Sequence, residues 1–149
     1  MNRDILRQAL PNLTDPKLVD RLLEKGQFLT FESGKTLMEP GQFIKAVPLV
    51  LEGSIKIMRV DEDGKELFLY YLEPGETCAL SLTCCSASKP SEIKAVIEEK
   101  ATLLFIPIQV HEQLTDEFKQ WKDFVSTTYQ HRFQEMLTVL DAVAFKRMD

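Results

Sequence analysis

Glycine and proline are distributed unevenly along this chain, and their distribution constrains the fold more than any other feature. All six glycines lie between positions 26 and 75, and all seven prolines lie between positions 11 and 107. Residues 108–149 therefore contain neither of the two residue types that most often end helices. The first part of the chain predicts many turns, and the last part predicts an uninterrupted helix.

The composition is that of one globular domain with a core, since 44% of the 149 residues are hydrophobic and 28% are charged. A formal net charge of −5 argues against binding to nucleic acid or to an anionic membrane, because both need a basic face. Three cysteines are too few for a disulfide framework and indicate a reducing compartment. Residues 1–13 lack the apolar segment of a signal peptide, and no apolar run is long enough to span a membrane. We expect a cytoplasmic protein with no membrane partner.

The turn-rich region predicts short strands. A turn at Ser33-Gly34 separates the first two, and a turn at residues 61–64, with Gly64 able to adopt positive φ, closes a hairpin. Turn signals every eight to twelve residues or so are typical of an antiparallel sandwich or roll. The predicted strands are residues 27–31, 35–38, 46–52, 54–60, 66–72, 93–97 and 103–107.

Helices are predicted at both ends. Asp15 can cap a helix that has Pro16 at its first position and ends at Gly26. From Thr115 onward the tail is apolar at helical spacing, and its last part has the 3-4-3 steps of a coiled-coil seam. A helix of about 30 residues spans ~45 Å, which is longer than the core of such a domain can cover. We predict that the seam pairs with a second copy, with packing wholly on the parent domain as the alternative; the seam residues are Tyr129, Phe133, Met136, Leu140 and Val143.

Four stretches in a fixed order connect the chain to a known family. They are Gly41 in the turn MEPGQ, residues 51–56 (LEGSIK), residues 72–76 (LEPGE) and residues 101–107 (ATLLFIP). Together they resemble the effector domain of Crp/Fnr-type bacterial transcription regulators over residues 20–149. The resemblance implies a mostly-β fold with α-helices: a cyclic-nucleotide-binding-like β-roll (a double-stranded β-helix or jelly roll) with an N-terminal helix and a long C-terminal dimerisation helix.

The same resemblance suggests how the chain is divided. Residues 1–116 would form the roll with its N-terminal helical segment, and residues 117–149 the dimerisation helix of the same structural unit. The family usually continues into a helix-turn-helix domain, and the segment around Ala144-Phe145 resembles the place where that domain follows. We therefore expect DNA binding only through a domain that is not in this chain. An excised domain and a natural stand-alone sensor are both compatible with this expectation.

The family's ligand-binding segment, here called the cassette (residues 73–92), departs from the family pattern. That pattern is Gly-Glu-x-x-Gly-Glu-Leu, followed about ten residues later by an arginine that binds the cyclic phosphate. Here Ala79 replaces the second glycine and Leu80 replaces the glutamate that orients the ribose. No arginine lies between Arg59 and Arg132.

The base-contacting hydroxyls of the cAMP-responsive members also have no counterpart, because their positions fall on Met136 and Leu137. Each lost charge-assisted pair costs ~1.5–3 kcal/mol, so we predict negligible cAMP affinity. No cofactor is predicted. An unknown small organic effector, such as an acid, is possible, and its pocket would be more apolar than that of the cAMP-responsive members. The candidate effector pocket consists of Gly75, Glu76, Thr77, Cys78, Ala79, Leu80, Ser81, Ser91, Glu92, Met136 and Leu137.

The cysteines leave several interpretations open. In the first interpretation they are small core residues, and nearby Ser and Thr side chains cap a brief helix near residues 80–86. In the second, Cys78 and the Cys84/Cys85 pair form a redox sensor. Three thiols are too few for a closed metal or iron–sulfur centre, so no metal is predicted.

Two further classes of protein are alternatives to a sensor. The two histidines, His111 and His131, fall in predicted helices, and no catalytic motif is present, so we predict that the chain is not an enzyme. The remaining alternative is a degenerate dimerisation module without a ligand, which predicts a filled cassette. A sensor predicts an open pocket near Ala79 and Ser91.

Overall fold

The computed structural model describes residues 2–86 and 88–147, with residues 84–86 and 147 described by their backbone alone. It contains an antiparallel sheet with helices at both ends of the chain, which confirms the predicted fold class. The elements are α1 (Asn2–Ala9), α2 (Pro16–Lys25), β1 (Gln27–Phe31), β2 (Thr36–Met38), β3 (Ala46–Val60), β4 (Glu66–Leu72), α3 (Ala79–Ser86), β5 (Lys94–Pro107), α4 (Ile108–Glu117) and α5 (Lys119–Arg147).

Strands β3 and β5 form the centre of the sheet, whose order is β1-β5-β3-β4, with β2 also paired to β5. The hairpin between β3 and β4 is closed as predicted: the Asp61 side chain accepts hydrogen bonds from the amides of Asp63 and Lys65, and Gly64 has φ +84°. The hairpin places β4 at an edge of the sheet, beside the start of the cassette.

The prediction that residues 46–52 and 54–60 form separate strands is wrong, and so is the same prediction for residues 93–97 and 103–107. Each pair is one long strand, because the ladder continues through irregular register at Ser54 and Glu99. Gly53 allows this continuity. It has φ +81°, and a Cβ atom there would lie 2.2 Å from the carbonyl oxygen of Lys100.

Residues of β3 and β5 alternate between two buried clusters on opposite faces of the sheet. Val50 and Leu103 belong to the inner cluster, which fills the roll. Leu49 and Leu104 belong to the helical cluster, which packs the sheet against the helices. Burial on both faces explains why these strands read as continuous apolar runs.

The N-terminal helix α2 begins as predicted. The Asp15 side chain accepts a hydrogen bond from the amide of Lys17, and Pro16 occupies the first turn, where a missing N–H costs nothing. Helix α1 precedes it, and its buried Leu6 joins the helical cluster.

The prediction of an uninterrupted helix from Thr115 onward is wrong. Helix α4 ends at Glu117 and α5 begins at Lys119, with extended backbone at Phe118 (φ −123°, ψ 116°). Phe118 packs against the helical cluster that contains the buried Trp121. Packing of these side chains, rather than a glycine or a proline, sets the break.

Candidate functional site

The turn at residues 73–76 opens the cassette and is held by its own hydrogen bonds. The amide of Glu73 donates to Glu76 Oε1 (2.7 Å), and the amide of Gly75 donates to the carbonyl of Val50 (2.7 Å). Gly75 has φ +87°, and a Cβ atom there would lie 2.4 Å from the carbonyl oxygen of Ala9. The glycine therefore lets the end of α1 pack directly on this turn.

The next part of the cassette packs into the roll. Thr77, Cys78, Ala79 and Ser81 are buried. Cys78 belongs to the inner cluster, and the partly buried Leu80 packs against it. The Thr77 hydroxyl donates to the carbonyl of Pro48 (2.6 Å). These four of the eleven candidate pocket residues are therefore part of the protein interior.

The far end of the cassette is likewise satisfied internally. Ser91 Oγ donates to the carbonyl of Ile93 (3.0 Å) and accepts from the amide of Ile93 (3.1 Å), while Glu92 is exposed. Among the described residues, no buried side-chain nitrogen or oxygen lacks a hydrogen-bond partner. Ala79 and Ser91, the residues near which a sensor predicts an open pocket, are both buried.

Tyr70, on β4, connects this interior to helix α5. Its hydroxyl lies 3.4 Å from Cys78 Sγ. Burial, reinforced by Cys78, raises the pKa of Tyr70 above its ordinary value, so the phenol stays protonated. The guanidinium carbon of Arg132 lies 3.9 Å from the Tyr70 ring centroid, in a cation–π contact.

Arg132 is the charged side chain that the sequence analysis missed. Its Nη2 lies 3.4 Å from Glu76 Oε2 and 3.5 Å from the carbonyl oxygen of Tyr71, and its Nη1 donates to Glu135 Oε2 (2.8 Å). The side chain is only 12% exposed. The family pattern places its arginine within the cassette, whereas this arginine comes from α5. The sequence feature that could have identified Arg132 is its position directly before Phe133 of the predicted seam.

A groove of about 470 Å³ lies where the N-terminal segment, the cassette turn and α5 meet. It is here called the α5 groove. Of the predicted pocket residues, Gly75, Glu76 and Thr77 line it, whereas Ser91, Glu92, Met136 and Leu137 do not. Its lining consists of residues 9–13, residues 75–77 and, from α5, Gln120, Asp123, Phe124, Thr127, Thr128, His131 and Arg132.

The predicted seam residues lie on an exposed apolar face of α5. Tyr129 is the closest of them to the cassette, since Thr83 Oγ1 donates to its hydroxyl at 3.4 Å. The five residues are between 38% and 57% exposed, and they include Met136 of the predicted pocket; Leu137, also of the predicted pocket, is exposed beside them. We call this face the seam; its residues are Tyr129, Phe133, Met136, Leu140 and Val143.

The histidines have different surroundings. His111 is buried, and its Nδ1 accepts a hydrogen bond from Trp121 Nε1 (3.1 Å). His131 is exposed beside Glu135 (3.1 Å). Within residues 2–86 and 88–147, no three His, Cys, Asp or Glu side chains are grouped to hold a metal ion. The side chains of Cys84 and Cys85 lie outside the described residues. None of the described helices could serve as a membrane span.

The structure combines a β-roll with a cassette that contacts the long C-terminal helix α5. The chain belongs to the cyclic nucleotide-binding domain family, whose model matches residues 28–118. No curated protein matches the chain in sequence.

Solved structures with this fold include several regulators. The Catabolite Activator Protein of Thermus thermophilus is 24% identical over 95% of this chain, with a TM-score of 0.72. The c-di-GMP responsive global regulator CLP of Xanthomonas campestris is 19% identical over 88% of the chain (TM-score 0.75). A protein from Eubacterium rectale assigned to the Crp/Fnr family is 17% identical over 93% (TM-score 0.77). The chain spans 63%, 65% and 65% of their respective lengths.

Proposed function

We propose that this chain is the effector-sensing and dimerisation domain of a Crp/Fnr-type transcription regulator, and that it does not respond to cAMP. The observation that carries the proposal is the exposed seam on α5, which begins directly beside the cassette. A change in the roll can bias how two such helices pack, which is a coupling between two sites.

Dimerisation is supported by the size and the pattern of the seam. Large apolar side chains at heptad spacing, left in water along one helix, are typical of an interface. A second copy of α5 would cover them, with residues 117–149 as the dimerisation helix and residues 1–116 as the roll.

Leu140→Asp tests this dimer. An unpaired carboxylate in each copy of the seam would be desolvated, so we expect the dimer dissociation constant to rise at least a hundredfold, measured by sedimentation equilibrium. Thr138→Asp is the matched control, because its side chain lies off the seam and donates to the carbonyl of Gln134. A Leu140→Asp protein that remains dimeric would show that the seam assignment is wrong.

The absence of a cAMP response is supported by the cassette itself. Leu80 packs against the inner cluster, and Ala79 and Ser91 are buried, with Ser91 bound to Ile93. A cyclic nucleotide in the family position would have to displace these contacts. Isothermal titration calorimetry with cAMP at roughly 1 mM should show no binding heat. A dissociation constant in the micromolar range would overturn the proposal.

The α5 groove supports effector sensing over a purely structural dimerisation module. Its volume of about 470 Å³ lies within the range of small-molecule sites. Native mass spectrometry of the dimer, purified under mild conditions, should show an added small-molecule mass. That mass should be lost in Thr127→Trp, which fills the groove. If the wild-type protein carries no added mass and its thermal stability does not respond to a library of organic acids, the dimerisation module is the better description.

A cysteine-based redox sensor is the remaining alternative. Cys78 is buried among apolar side chains, which limits the access of an oxidant, and its Sγ lies 3.4 Å from the Tyr70 hydroxyl. We expect Cys78 to stay unmodified after mild peroxide treatment, as measured by mass spectrometry of the folded protein. Reversible oxidation of Cys78 would favour the redox sensor.

The proposal extends to the wider setting of the chain. We expect a bacterial, cytoplasmic homodimer that binds DNA through a domain outside this chain. We propose no catalytic role, because the buried His111 is bound to Trp121 and the related rolls belong to regulatory proteins.

A further inference from the structure

One side chain of α5 contacts both the cassette turn and strand β4. Arg132 lies 3.4 Å from the Glu76 carboxylate and stacks 3.9 Å from the Tyr70 ring centroid. It also lies 3.5 Å from the carbonyl oxygen of Tyr71 and is 12% exposed. Arg132 lies within the span of the exposed seam, between Tyr129 and Phe133.

We propose that Arg132 is the positioning residue that transmits the position of the cassette turn to helix α5. Glu76 is the other half of the connection. Its Oε1 accepts the amide of Glu73 and holds the turn, while its Oε2 faces Arg132. One carboxylate thus links the turn to the helix, so a displacement of the turn shifts α5 and its seam.

The contacts require arginine rather than lysine. A planar guanidinium can stack on Tyr70 while its separate nitrogens reach Glu76 and Glu135, and an ammonium cannot do both. The inference rests on the proposed function, in which the seam pairs with a second copy. The contact itself lies within one protomer and can be measured whether or not the chain dimerises.

Hydrogen–deuterium exchange of Arg132→Gln and Glu76→Gln tests the connection. The amide oxygen introduced by Glu76→Gln can still accept the amide of Glu73, so this change removes the charge and leaves the turn. We expect Glu76→Gln to speed exchange of the α5 amides at residues 130–136 at least threefold, and Arg132→Gln to speed exchange of the turn amides at residues 73–76 by a similar factor. The double variant should fall short of the sum of the two single effects, because both changes break the Arg132–Glu76 pair, whereas Glu76→Gln alone also removes the charge that faces His131 Nε2 at 3.9 Å.

Two controls make the outcome decisive. Arg21→Gln removes an ion pair of 2.7 Å with Glu117 on another surface, and it should leave both segments unchanged. Protection of the β3 and β5 amides from exchange reports whether each variant is folded. If Arg132→Gln does not fold, Arg132→Lys takes its place in the experiment. The proposal is overturned if Glu76→Gln leaves the α5 amides unchanged, or if the two single effects add. Sedimentation of the same samples reports dimerisation separately, so a monomeric protein with linked exchange would contradict the proposed function alone.

Discussion

The two halves of helix α5 have the same kind of sequence and opposite surroundings. In residues 119–128, Trp121 is buried, Phe124 packs against the helical cluster, and the Gln120 side chain binds the segment before α2. In residues 129–147, apolar side chains such as Phe133 and Leu140 are exposed. The large apolar side chains of the first half are covered by their own domain, whereas those of the second half are exposed.

This difference shows what an apolar period does and does not encode. Helical spacing indicates that apolar side chains recur along one face of α5, interrupted by Arg132. It does not establish what covers that face, because the covering atoms come from residues distant in sequence. The packed half and the seam therefore make different predictions about the same kind of substitution.

Trp121→Ala should have the largest effect on the folded protomer. It removes a fully buried ring and leaves His111 Nδ1 without its donor, so we expect the free energy of unfolding to fall by about 3–5 kcal/mol. Urea unfolding measures it, in a Leu140→Asp background that removes any contribution from dimerisation.

Phe133→Ala is the matched change in the seam. In the same monomeric background it should alter the free energy of unfolding by less than about 0.5 kcal/mol, because its ring is exposed. Equal losses at Trp121 and Phe133 would mean that the seam packs on its own roll and that the two halves do not differ.

Local patterns were sufficient to predict much of the fold. The cap at Asp15, the hairpin turn at Gly64 and the helix over residues 80–86 are each determined by neighbours in sequence. The failures occurred where distant contacts decide. Gly53 reads as a strand end in the sequence, yet it continues the ladder because the chain of Lys100 approaches it closely.

The site was less predictable than the fold for the same reason. The turn at Gly75 and Glu76 follows from its residues, but the packing of Leu80 into the roll and the arrival of Arg132 from α5 depend on tertiary structure. The sequence shows that Arg132 lies beside the predicted seam, but it does not indicate that Glu76 is the partner of Arg132.

Gly75→Ala should have the next largest effect and extends the comparison to the turns. A Cβ atom would clash with the Ala9 carbonyl at 2.4 Å in a backbone that already has φ +87°. We expect a loss of about 2–3 kcal/mol in the free energy of unfolding, since strain and backbone displacement combine. Gly64→Ala, with φ +84° but nothing within 4 Å, should cost only about 1 kcal/mol. Similar losses in both would mean that Ala9 does not press on the cassette turn.

Gln120→Ala examines how the packed half of α5 is attached. Its Oε1 accepts the amides of Thr14 and Asp15, and its Nε2 donates to Thr14 Oγ1. Losing these bonds at a partly exposed site should lower the melting temperature in line with about 1–2 kcal/mol. Gln134→Ala on the exposed half should leave it within experimental error, and an equal decrease would remove the distinction between the halves.

Acidification should produce the smallest effect, and His111, which is bound to Trp121 of the packed half, contributes to it. Burial lowers the pKa of His111 below its ordinary value of 6.5, with Glu112 opposing the shift. The unfolded chain therefore binds a proton more readily, and the free energy of unfolding should fall as the pH drops below about 6.5. Above that pH the contribution of His111 is fully present and constant. His111→Gln should flatten the pH profile between 7 and 5 relative to wild type, as urea titrations at each pH would measure. A His111→Gln profile that runs parallel to wild type would show that the Trp121 contact does not require the neutral imidazole.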